Sequence, residues 1–278
     1  MAEMFLLFPM AYLLLLGEID ISVGSIVCLA ATVSCMASNA GVPFVGVFLL
    51  GSLTGLACGA LNGIITVKFR ELPTMIITLG TQIVFRGIAE IALGDGGSVS
   101  LSNSAGFKAL NGKLGIFPYS FFLIIIVAII FTVVADRMNY GRKLYAIGSN
   151  AKTAYYSGIK VNKTIFIAFA LIGLFAGFSG LFLTSTAYGA NTTTGKGFEM
   201  DAIAMAVFGG VSNMGGKGKL YGAFISAFII MCLRIGLGQV NVNSQVILII
   251  LGALLICAVL LPNVTAGLGL KKKKAANK

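Results

Sequence analysis

The chain has no histidine and no tryptophan, and only nine of its 278 residues are acidic. Without histidine, neither the commonest general base nor the commonest metal ligand is at hand. No nucleophile-and-base constellation appears among the remaining residues. The one compact carboxylate pair is Glu18 and Asp20, and helix capping explains it more simply than catalysis. Charged residues make up 10% of the chain, against about 25% in a soluble domain, which excludes a water-soluble globular protein. The five cysteines, Cys28, Cys35, Cys58, Cys232 and Cys257, lie inside apolar runs without CxxC spacing. They read as small buried side chains rather than disulfides or metal ligands. The nearest approach to a phosphate-binding loop is GGVSNMGGKGKL, residues 209 to 220. It has Val211 where GxxxxGK requires its first glycine, and Gly218 where Ser or Thr belongs, so no nucleotide-hydrolysing motif is present.

What the chain does contain is apolar length. It is 58% hydrophobic, with 36 glycines and a mean hydropathy of +0.98. Apolar runs cover 21–37, 44–67, 72–93, 119–135, 164–186, 219–233 and 246–261, with shorter ones at 4–16 and 201–211. About 20 residues cross a bilayer, so several runs are full spans and the two short ones are candidates for broken or tilted helices. The fold class is an all-α polytopic membrane helix bundle, read as one transmembrane domain over 1–278. No charged leader and cleavage site precede MFLLFPMAYLLLL, so the chain reads as integral rather than secreted. Prolines border the runs except Pro9, which points to a distorted first element or to a missing preceding span.

Net charge is +11, and its placement excludes a nucleic-acid partner. With the tail LKKKKAANK taken as cytoplasmic, alternation through the spans brings three groups to the same side. They are Lys68 and Arg70, then Arg137, Arg142, Lys143, Lys152, Lys160 and Lys163, then Lys217 and Lys219. Lys108, Lys113 and Lys196 fall opposite, and Arg86 and Arg234 lie within spans. The basic charge is therefore topological, as the positive-inside rule describes.

Two stretches share a spacing: GEIDISVGS at 17–25 and FEMDAIAMA at 198–206. Glu18 aligns with Glu199 and Asp20 with Asp201, and each pair precedes a short apolar stretch. By the charge count the elements after the first run in, out, in and those after the second run out, in, out. This predicts an inverted-topology repeat with halves near 1–118 and 164–270. Carboxylates at membrane depth are costly, so the four acids have two readings: capping of a helix break, or contact with a permeant in the translocation path. Arg86 and Glu90, four apart, are expected to neutralise each other near a helix end, with a pathway lining as the other reading. Gly51, Gly55, Gly59 and Gly63 make one smooth helix ridge, and Gly173 and Gly177 another; in lipid these are packing faces.

The loop 137–163 carries YGRKLYAIGSNAKTAYYSGIKVNK. Asn150 or Ser149 is expected to cap a short amphipathic helix and Gly158 to end it, with Ile147, Ala151, Ala154, Tyr155 and Ile159 on one side. Such a helix could seat in a groove of another protein or lie on the lipid surface.

GEIDISVGS (17–25), LNGIITVKFRELPTMIITLGT with FRGIA (61–89), GRKLYAIGSNAKTAYYSGI (141–159) and GFEMDAIAMAVFGGVSNMGGKGKLYGA (197–223) resemble, in order and spacing, the permease subunits of ribose-type ABC importers. That family also serves xylose, galactose, rhamnose and the autoinducer-2 furanose. The resemblance covers nearly the whole chain. It implies a bacterial inner-membrane permease subunit for a sugar or sugar-like molecule, with a cytoplasmic C-terminus. The implied partners are a second permease copy or homologue, two ATPase subunits holding ATP and Mg²⁺, and an extracytoplasmic substrate-binding protein; no cofactor is implied for this subunit. It further implies that 137–163 is the ATPase-coupling loop, with Gly141, Arg142, Lys143, Ala146, Gly148, Asn150, Ala154, Gly158 and Ile159 as its candidate residues. The chain departs from the family in Glu18, where many members have glycine, in Glu90, and in beginning almost on the first motif, ahead of which members carry a further span. An ion-gradient-driven transporter or channel remains as the other reading of the repeat and its carboxylates.

Overall fold

The computed structural model describes residues 2–102, 105–115, 117–243, 245–247, 249–254 and 256. Cys257, Pro262 and the basic tail from Lys271 to Lys278, with the orientation inferred from it, lie outside the described residues.

Helices form where the apolar runs lie. They are α1 (Met4–Leu16), α2 (Val23–Asn39), α3 (Phe44–Lys68), α4 (Thr74–Leu93), α5 (Ala105–Leu110), α6 (Tyr119–Arg137), α7 (Asn139–Ser149), α8 (Ala151–Tyr156), α9 (Val161–Ala187), α10 (Phe198–Phe208) and α11 (Leu220–Gln239). A shorter apolar helix follows over Gln245–Leu254. Five of these, α3, α4, α6, α9 and α11, are long and apolar enough to cross a membrane. Prolines fix several starts: Pro43, Pro73 and Pro118 are the N-caps of α3, α4 and α6. Pro9 does not break α1, which runs continuously through it.

In α1 every residue is buried. A helix apolar on all sides belongs inside a bundle, and α1 is enclosed by α6, α7, α9, α10 and α11. Its one phenol is satisfied: Tyr12 Oη donates to the Phe131 carbonyl at 2.6 Å. The broadest packing joins α3 to α9, where the two glycine stripes meet. A methyl group at Gly55 would overlap the Gly173 carbonyl, and one at Gly177 would lie 2.6 Å from the Gly51 carbonyl. Without side chains in the way the backbones touch, which in lipid is the main source of helix association.

The helical class stands, with two minor ladders, and the burial expected of one cysteine does not. Two small antiparallel ladders occur within the helical bundle: β1 (Ser98–Ser100) pairs β4 (Gly189–Asn191), and β2 (Lys113–Leu114) pairs β3 (Phe117–Pro118). They satisfy backbone groups of connections too short to form helices. Cys232 is exposed, because it sits on a side of α11 turned away from the bundle, while Cys28, Cys35 and Cys58 are buried free thiols.

Candidate functional site

The break between α1 and α2 is the first site. Gly17, at φ +79°, turns the chain out of α1, and Gly17 and Glu18 donate to the carbonyls of Leu14 and Leu13, each at 2.9 Å. Glu18 then pairs with Arg70 at 3.1 Å and accepts from the Thr74 hydroxyl. Arg70 lies in the turn between α3 and α4, and Thr74 opens α4. Asp20 is fully buried and accepts from the Ser22 amide at 2.8 Å, the Ser22 hydroxyl at 2.6 Å and Asn62 Nδ2 at 3.3 Å. Thr78 accepts the Ile21 amide at 3.2 Å. Irregular backbone in a membrane protein needs partners of this kind, and α3 and α4 supply them. Asp20 thus closes an Asx-type turn before α2, and Glu18 ties the break to another element.

Beside this break lies a cavity of ≈ 390 Å³, lined by Glu18, Thr66, Arg70, Glu71 and Thr74 among others. The Thr66 hydroxyl is buried and has no hydrogen-bond partner among the described residues. A carboxylate, a guanidinium and hydroxyls around such a space match the donor and acceptor needs of a small polyhydroxylated molecule.

The second acidic motif opens α10, with Glu199 and Asp201 in the helix's first turn rather than ahead of it. There the helix dipole favours them. Glu199 is buried against Gly24, in the first turn of α2. Asp201 pairs with Arg234 of α11 at 2.7 Å, and Arg234 also reaches Glu3 at 3.1 Å. Glu3 and Arg234 escaped the sequence reading of the site, although lone opposite charges on apolar segments are the signal that could have joined them. Arg86 does not pair with Glu90. Its guanidinium donates to the carbonyls of Thr192 at 3.1 Å and Thr194 at 2.8 Å, in the loop that precedes α10, and Glu90 is exposed.

The 137–163 loop forms two helices where one was expected. Asn150, in extended conformation, separates α7 from α8, and its side chain accepts the Thr153 amide at 2.9 Å as an N-cap. Gly158, at φ +81°, ends the segment. Ile147 and Ala154 face inward, but Tyr155 is exposed, because the kink at Asn150 rotates α8 relative to α7. Arg142 and Lys143 are exposed, Gly141 packs on the end of α6, and Ala146 and Ile159 are half-buried.

The end of α7 meets two other elements. A methyl on Gly148 would overlap the Leu15 carbonyl at the end of α1. That same carbonyl accepts the Gly216 amide at 2.8 Å, and Tyr145 Oη donates to the Gly218 carbonyl at 2.9 Å. Burial, with a smaller contribution from Asp136, pushes the Tyr145 phenol up, which keeps it a donor. The glycine-rich stretch that fails as a phosphate loop is thus a cap on α1 and a seat for α7.

A bundle with several apolar spans, broken helices stitched by side chains and an amphipathic segment outside the spans defines a membrane-transport subunit. A family profile described as "Branched-chain amino acid transport system / permease component" matches residues 5–259. The chain is 38% identical over 255 residues to the D-allose transport system permease protein AlsC of Escherichia coli, covering 90% of this chain and 76% of the relative. It is 35% identical over 256 residues to the ribose import permease protein RbsC of Bacillus subtilis, covering 91% and 79%. It is 30% identical over 257 residues to the autoinducer 2 import system permease protein LsrD of Klebsiella pneumoniae, covering 91% and 77%. No solved structure matches the chain with significance. The chain belongs to this family of transport-system permease components.

Proposed function

We propose that this chain is the membrane-spanning permease subunit of an ATP-binding cassette importer that brings a sugar or sugar-like small molecule into a bacterial cell across the plasma membrane. The observation that carries the ATP-driven part is the α7–α8 segment. Its inner face is joined to α1 through Gly148 and to the loop between α10 and α11 through Tyr145, while Arg142, Lys143, Tyr155 and Tyr156 are left exposed on its outer face. The allose, ribose and autoinducer-2 import permeases among its relatives support the substrate class.

In this reading two ATPase subunits bind ATP and Mg²⁺, and their closure moves α7 and α8. Gly141, Arg142, Lys143, Ala146, Gly148, Asn150, Ala154, Gly158 and Ile159 form the coupling segment. Motion passes to the break at Glu18 and Asp20 and to the half-helix carrying Glu199 and Asp201, and the two halves rock about the interface with a second permease subunit. An extracytoplasmic binding protein delivers the permeant, and the cavity beside Glu18 and Arg70 belongs to its route. The repeat reading is supported by the like placement of the two acidic motifs: the first leads into α2 and the second opens α10.

The test is co-expression with ATPase subunits from the same genome and affinity capture in detergent. An ATPase retained by the native chain and lost in Gly158→Trp is the expected result. No ATPase in either case, together with uptake that follows an ion gradient, would assign the chain to gradient-driven transport.

A further inference from the structure

The most exposed large apolar side chains of the described chain are Tyr156 and Met214, each at 86% relative exposure. Ile91 and Ile83 come close, but they lie on the spanning helix α4, where lipid covers apolar surface. Tyr156 and Met214 lie outside the spans. Tyr156 ends α8, and Met214 stands at the tip of the loop between α10 and α11.

That loop is built rather than slack. The Ser212 amide donates to the Lys217 carbonyl at 2.9 Å, and the Met214 amide donates to Ser212 Oγ at 3.2 Å. Gly216 is tied to Leu15 and Gly218 to Tyr145, as described above, and Gly215 lies 2.9 Å from the Gly148 carbonyl as measured from its missing methyl position. The loop and the end of α7 therefore hold one register; the loop presents Met214 outward, and α8, which packs on α7, presents Tyr156. Arg142, Lys143, Lys152, Lys217 and Lys219 are exposed on the same two segments.

We infer that the ATPase subunit grips this chain at two places, α8 and the 209–219 loop, with Met214 as the second anchor. The inference rests on the ATP-driven reading of the chain. A fixed spacing between two apolar knobs suits a solid partner; a lipid surface is fluid and requires no such register. Methionine, unbranched and polarizable, fills irregular apolar pockets well. The basic residues around both knobs call for acidic groups at the rim of the receiving surface. A two-point grip would let the partner push both on α7 and on the junction of α10 with α11, so that both halves of the bundle receive the same displacement.

The experiment places a photo-cross-linking amino acid at Met214, at Tyr156, or at Ile91 as the control, in the full chain co-expressed with its ATPase subunits in membranes. The expected result is an ATPase adduct from Met214 and from Tyr156 and none from Ile91. An ATPase adduct from Tyr156 with only lipid adducts from Met214 overturns the second anchor and leaves the ATP-driven reading standing. No ATPase adduct from either position overturns both. In a parallel capture, Met214→Glu should lower ATPase retention roughly tenfold while Met214→Leu keeps it, as for a buried apolar anchor. Met214 touches no core residue, so unchanged retention in Met214→Glu would also overturn the proposal.

Discussion

Glu199 sets its carboxylate against the bare Cα of Gly24, so the second acidic motif of the chain closes directly on the first. One Glu199 oxygen accepts no hydrogen bond among the described residues, and any side chain larger than hydrogen at position 24 would occupy the space the carboxylate holds. The two motifs are 175 positions apart at these residues and share a surface of contact. A movement of one break against the other must therefore slide or open this contact.

Gly24→Ala should destabilise the bundle although alanine is the better helix former by roughly 0.5–1 kcal/mol. The expected net loss, about 1–3 kcal/mol from overpacking, would appear as a lower melting temperature in detergent. Pairing it with Glu199→Ala should recover part of the loss by clearing the same space.

Arg234 stands between two carboxylates, Glu3 and Asp201. Arg234→Ala leaves them facing each other without a cation and should cost more than Asp201→Asn, which leaves one pair intact. The groups are partly exposed, so a loss of about 1–2 kcal/mol is expected in place of the 3–5 kcal/mol of a fully buried pair. Thermal unfolding of Arg234→Ala, alone and combined with Glu3→Gln and Asp201→Asn, checks the ordering: the triple variant should melt above the single one.

Asn62→Leu removes one of the donors that hold Asp20 and should destabilise by about 1–3 kcal/mol. Asn62 also donates to Ser22 Oγ at 2.7 Å, so the turn before α2 loosens with it. Protease susceptibility within 17–25 should rise relative to the native chain.

Glu18→Gln keeps the shape at the cavity and removes the ion pair with Arg70. Exposed pairs of this kind contribute about 0–1 kcal/mol, so melting should barely change. Reconstituted uptake should fall severalfold with an altered KM; unchanged uptake would remove Glu18 from the permeant's route.

Most helices were legible because the apolar runs are long and bounded by proline: the run 44–67 became α3 and 119–135 became α6, each within two residues. The glycine stripes were legible as packing faces for the same reason, a strict spacing of four. The partners in the site were not. Arg86 and Glu90 satisfied the i, i+4 rule, yet the carbonyls of Thr192 and Thr194 arrive from a loop more than a hundred residues away and offer Arg86 better geometry. Local spacing cannot register such competition. The kink at Asn150 is hidden likewise: the sequence marks Asn150 as a cap for the helix after it but gives no sign of the helix that ends just before it. The junction of Leu15, Gly148 and Gly216 depends on three segments that share no pattern, and only their glycines hinted that backbones would touch.

The total enclosure of α1 bears on how the protein is made. Its neighbours α9, α10 and α11 leave the ribosome long after it does, so for most of synthesis its final surroundings do not exist. A helix with an apolar surface on every side can wait in lipid without cost, which a helix carrying a polar stripe could not do. The order of assembly thus runs against the order of the chain: the first described helix is the last to be housed, and a chain stalled before α11 should keep α1 open to extraction.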